Sequence, residues 1–149
     1  VSITYLQAED EIYGIANRAW VSSIDGSGLH YQPKLYFPDS PVPPADVDEI
    51  YARCSFSVVT AEQASLSRYQ GVSTYEEDGL FAMQIYAPKK KASALRTAKQ
   101  MADVVRNAFC TPSTSGEVWF RGQRVSPVAG NETKNQVNVV ITCTYRTTK

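Results

Sequence analysis

The sequence predicts an α+β fold: an antiparallel or mixed β-sheet of about four to five strands with two main helices packed on one face, in the order αββαββ. Three observations predict it. Residues 7–21 and 92–109 repeat their apolar side chains at the 3.6-residue helical period. Residues 50–59, 75–87 and 136–146 are extended segments, two of them alternating apolar with polar side chains. Consecutive strands follow each helix, which favours hairpin pairing over parallel crossovers. With 149 residues, 43% hydrophobic and 20% charged, the chain has material for one domain, 1–149, with its own core.

In the first helix Ile12, Ile15, Ala16 and Ala19 share one face. Glu9, Asp10 and Glu11 fill its expected first turn, where the helix dipole favours anions. Trp20 is expected to close the helix on the core, and Asp25-Gly26-Ser27-Gly28 to break it. Leu35-Tyr36-Phe37 reads as a short strand stopped by Pro38, Pro41, Pro43 and Pro44. Proline lacks the ladder donor, so this stretch is a surface crossing or a sheet edge. In 50–59, Ala52, Cys54, Phe56 and Val58 alternate with Tyr51, Arg53, Ser55 and Ser57, as in a central strand.

Residues 60–74 are mostly polar, with Ser65, Ser67, Gly71 and Ser73, and read as a projecting arm too long for a tight hairpin. Residues 75–87 are the partner strand. Glu76-Glu77-Asp78-Gly79 reads as a solvated acidic turn or bulge at its start, Leu80 to Ala87 as a stretch covered on both faces. In the second helix Ala94, Leu95, Ala98, Met101, Ala102, Val105, Ala108 and Phe109 form an apolar stripe, and Arg96, Lys99, Asp103 and Arg106 a charged one. Residues 117–128 read as a strand pair or one strand bent at Gly122. In the last strand Val137, Val139, Ile141, Cys143 and Tyr145 line one face.

Lys and Arg total 15, as do Asp and Glu. A neutral chain is a poor candidate for nucleic-acid binding driven by counterion release. No apolar run approaches the roughly 20 residues that span a bilayer, so no membrane partner is expected. Residues 1–20 lack the apolar stretch of a signal peptide, which points to synthesis in the cytoplasm. Asn131-Glu132-Thr133 then fits a glycosylation acceptor by chance. Cys54, Cys110 and Cys143 are odd in number and widely spaced, and read as reduced, buried small hydrophobes.

Candidate chemistry is sparse. His30 is the sole histidine. Asp25 and Ser27 lie near it in sequence, but no nucleophile elbow surrounds them. One histidine and three scattered cysteines offer no zinc spacing. The adjacent carboxylates of Glu76, Glu77 and Asp78 point to alternate strand faces and do not converge on a cation. Gly26-Ser27-Gly28 lacks both the third glycine and the preceding strand of a dinucleotide loop. No enzymatic activity, cofactor or metal is expected. Lys89-Lys90-Lys91 gains nothing from the dipole of the helix it precedes. Residues 89–106 hold six basic residues and one acid, whereas 39–50 hold four acids and no base. Such segregation suits head-to-tail self-association.

The succession of an N-terminal amphipathic helix, Leu35-Tyr36-Phe37-Pro38-Asp39, a strand, a polar arm ending near Arg68-Tyr69-Gln70-Gly71, the strand Leu80 to Pro88, the helix through Ala98 to Phe109 and a closing strand ending in Thr144-Tyr145-Arg146 resembles the tail terminator (tail completion) proteins of long non-contractile-tailed bacteriophages. The resemblance covers nearly the whole chain and rests on element order. It implies a virion protein that forms a ring, commonly hexameric, at the head-proximal end of the tail tube, stops tube growth and offers a surface to the head–tail connector or stopper. Its partners would be copies of itself, the tube protein and the connector, with DNA passing only through the lumen. It implies no catalytic residues. Arg68, Tyr69 and Gln70 in the arm and Lys89, Lys90 and Lys91 are the expected interface residues, Arg and Tyr being common interface anchors. Glu76, Glu77 and Asp78 are expected to line the lumen and repel DNA. The alternatives are another neck protein such as a head-closure stopper, or a small ligand-binding or enzymatic host domain, which would need a pocket with convergent polar groups.

Overall fold

The computed structural model describes residues 3–41, 48–63, 74–111, 113, 115–128, 130 and 133–148. They form α1 (Tyr5–Asp25), β1 (Lys34–Tyr36), β2 (Tyr51–Gln63), β3 (Thr74–Pro88), α2 (Ala94–Ala108), β4 (Val118–Val128) and β5 (Lys134–Thr148). The strands make one five-stranded sheet in the order β1-β2-β3-β5-β4. β1 runs parallel to β2, and every other pairing is antiparallel. The fold is therefore α+β with a mixed sheet, as the sequence predicts.

α1 begins earlier than its apolar periodicity suggests, because Thr4 caps it. The Thr4 hydroxyl accepts the Gln7 N–H at 3.1 Å, and the Gln7 side chain accepts the Thr4 N–H at 2.9 Å. Glu9, Asp10 and Glu11 consequently lie beyond the first turn. Trp20 does not end the helix. Its buried indole donates to the Pro33 carbonyl at 2.9 Å, while the helix runs on to Asp25. Ile12, Ile15, Ala16 and Ala19 are buried, as are Ala98, Met101, Ala102 and Val105 of α2.

Both helices lie on the sheet face that carries Phe56, Phe81, Met83, Ile85, Val137, Val139, Ile141, Cys143 and Tyr145. Phe81 is the centre of this core. It pairs in register with Phe56 and Ile141, and its ring meets Tyr13 of α1 at 6.5 Å and Phe109 at 5.1 Å.

Several local expectations change. Among the described residues β2 is not flanked along its length: β1 pairs with it only over Tyr51–Arg53, and Pro38, two residues past Tyr36, stops the outer strand. β2 and β3 extend to Gln63 and from Thr74, so the ends of the expected 60–74 arm are strand. Its middle, 64–73, lies outside the described residues. The bulge falls on β2, between Val58 and Thr60, and not at Glu76–Gly79. Gly79 lies beneath the Phe56 ring, where a Cβ would sit 2.4 Å from Phe56 Cε2 and 2.8 Å from the Ser57 carbonyl. Leu80 to Ala87 is covered on one face only; the even-numbered side chains face away from the helices, and Leu80 is 37% exposed. β4 is one strand, bent at Gly122 (φ 63°) with a register shift between Arg121 and Arg124. Cys54 and Cys143 are buried, and burial pushes both thiols up to about 12. Cys110 departs from expectation: it is exposed just past the end of α2.

Candidate interaction surfaces

The expected interface residues divide. Arg68, Tyr69 and Gln70 lie outside the described residues. Lys89, Lys90 and Lys91 are exposed in the turn from β3 to α2. The Lys89 N–H donates to the Thr133 carbonyl at 2.9 Å. Ser93, before α2, takes a left-handed conformation (φ 67°), which sharpens the turn. Lys91 Nζ lies 5.4 Å from the centroid of the Tyr31 ring, a cation–π contact. Arg96 and Lys99 extend the basic surface along α2, while Arg106 is paired with Asp103 at 2.5 Å.

Glu76, Glu77 and Asp78 are not a solvated acidic turn. They sit within β3, and strand alternation separates them. Glu77 points to the helix side, where it is 6% exposed and accepts a hydrogen bond from the Tyr145 hydroxyl. Burial, and then this bond, hold the Tyr145 phenol above its ordinary pKa. Glu76 and Asp78 lie on the opposite face. Glu76 faces Arg146 at 3.5 Å; Asp78 faces Arg121 at 3.4 Å and accepts from the Thr144 hydroxyl at 2.6 Å. The trio therefore presents two arginine-paired carboxylates to solvent and one buried one, not a free acidic line.

The sheet face away from the helices is half-exposed. At one end Tyr51 and Tyr86 stack at 4.9 Å, and Lys134 Nζ lies 3.2 Å from the Tyr51 hydroxyl. At the other, Trp119 is 45% exposed beside Arg121 and Arg146.

A groove that the sequence reading missed lies between α1, the Phe37-Pro38-Asp39 turn and β2. It encloses about 560 Å³ and is lined by Tyr5, Glu9, Asp10, Tyr13, Phe37, Pro38, Asp39 and Phe56. Tyr5 stacks on Phe56 at 5.9 Å, and Tyr13 meets Phe37 edge-on at 5.3 Å. The Tyr13 hydroxyl accepts the Phe56 N–H at 3.1 Å, which satisfies an outward-facing donor of β2. Tyr5 hydrogen bonds Glu9, and this bond pushes its phenol up to about 12; burial does the same for Tyr13. The groove wall carries three carboxylates and no basic residue. One signal was present in the sequence: Tyr5, Glu9 and Tyr13 are spaced by four, which aligns them on one helix face.

Among the described residues no group of three or more His, Cys, Asp or Glu is placed to hold a metal ion. No helix among them is long and apolar enough to cross a membrane. No family model matches the chain, and no curated protein matches it. A solved structure without a descriptive name is similar, with a TM-score of 0.55 at 17% identity, over 89% of this chain and 94% of that one. That likeness shows a shared fold.

Proposed function

We propose that this chain is a structural virion protein of the tail terminator kind: it forms a ring on the head-proximal end of a phage tail tube, stops tube growth, and offers its other side to the head connector or stopper. It works through docking surfaces and breaks no covalent bond. The observation that carries this reading is the state of the two sheet edges. Among the described residues β2 has no strand neighbour outside it from Cys54 to Gln63, and β4 has none along its whole length. Exposed edges are templates for another chain. Two different edges, together with basic and acidic regions at different places, suit a contact in which one face meets a different face of a copy, and such contacts close into rings or run on as filaments. The element order that resembles the terminator family supports the same reading.

The test is to polymerise the cognate tube protein with increasing amounts of this chain and to measure tube lengths by electron microscopy. Shorter tubes with added density at one end are expected. Tubes of unchanged length with bare ends would overturn the terminator reading. Binding to the connector without any effect on tube growth would favour a head-closure stopper instead.

A further inference from the structure

The groove beside α1 combines two attractions for a cation. Glu9, Asp10 and Asp39 supply negative charge, and the Tyr5, Tyr13, Phe37 and Phe56 rings supply apolar walls and π faces. Its volume, about 560 Å³, has room for more than one long side chain. The occupant that fits this chemistry is a short basic run. This chain carries one in Lys89-Lys90-Lys91, exposed on the β3–α2 turn, where Lys91 already rests over a tyrosine ring.

We propose that this groove is the receptor for the Lys89–Lys91 turn of a second copy of the chain. A chain does not fill its own groove with that turn. Phe56 in the groove is in register with Phe81, and the seven residue steps from Phe81 to Pro88 span about 23 Å of strand, farther than a lysine side chain reaches. Donor and acceptor are thus distinct surfaces, and the contact is heterologous. The proposal names the contact between copies and so rests on the ring-forming reading, but it fails or stands separately from it.

The experiment is sedimentation equilibrium of the full chain at low and high salt. It compares wild type, the groove variant Asp10→Lys/Asp39→Lys and the turn variant Lys89→Glu/Lys90→Glu, all at exposed positions. Circular dichroism and thermal melts check that each folds; Asp10→Asn/Asp39→Asn replaces the groove variant if its reversal does not. Wild type is expected to self-associate, and less so as salt rises. Each reversed variant alone should associate at least about tenfold more weakly. An equimolar mixture of the two reversed variants should recover association, because each then offers the charge the other lacks. Wild-type association untouched by either variant would overturn the proposal, as would a mixture that stays dissociated or a wild type that is monomeric even at low salt. So would association restricted to an added basic peptide or a small organic cation. If the variants cap tubes as well as wild type does, the groove contact falls and the terminator reading stands. If copies associate through the groove but never affect tubes, the reverse holds.

Discussion

Odd-numbered and even-numbered side chains of β3 leave the same backbone into different surroundings. Glu77, Phe81, Met83 and Ile85 are sealed under the helices, whereas Glu76, Asp78, Leu80, Gln84 and Tyr86 stay partly in solvent. The sealed face accounts for the cooperative core, since buried aromatic and aliphatic area is the main stabilising term in folding. The open face contributes little to that core, and the groove beside α1, though it is floored by the core residue Phe56, is exposed at Tyr5, Asp10 and Asp39. Stability thus rests mainly on one side of the sheet, and substitutions sort the two sides.

The largest difference is expected between neighbours. Phe81→Ala should cost about 3–5 kcal/mol through the cavity it leaves between Tyr13, Phe109 and Ile141, whereas Leu80→Ala should cost under about 1 kcal/mol. Denaturant unfolding of both variants measures the contrast, and equal losses would mean that the open face is not open. Next, Tyr145→Phe should cost about 1.5–3 kcal/mol, because it strips the buried Glu77 carboxylate of its hydroxyl donor. The same phenol sets a pH dependence. The fold favours the neutral form of Tyr145, whose pKa burial raises, and of Tyr5 and Tyr13, which are pushed from 10 up to about 12. Their contribution is complete below pH 10 and is lost as pH rises from 10 toward 12 and beyond, since only the unfolded chain releases those protons at first. Urea unfolding across pH 9–12 should show that decline, and Tyr145→Phe should make it shallower. Gly79→Ala should cost about 1–3 kcal/mol by crowding Phe56 and the Ser57 carbonyl. Smallest of all, Arg121→Ala should change stability by less than about 1 kcal/mol, because its pair with Asp78 is solvent-exposed.

Much of this division was legible in the sequence where it depends on local periodicity. The α2 stripe from Ala94 to Phe109 and the alternation from Val137 to Tyr145 mark buried faces directly. What was not legible depends on partners far along the chain. Glu77 looks solvated beside Glu76 and Asp78 until Tyr145, 68 residues away, is laid next to it. β2 looks central until the short β1 leaves most of its edge uncovered. The groove was half-readable: Tyr5, Glu9 and Tyr13 share a helix face in the sequence, but Phe37, Asp39 and Phe56 join them only when the chain folds. The basic run at Lys89 to Lys91 needed no structure to be seen, yet its separation from the acidic groove follows from the register of β2 on β3.

Electron microscopy of particles assembled without this chain tests the proposed terminator role most directly. The account predicts tails of uncontrolled length that carry no heads. Tails of normal length joined to filled heads would contradict it.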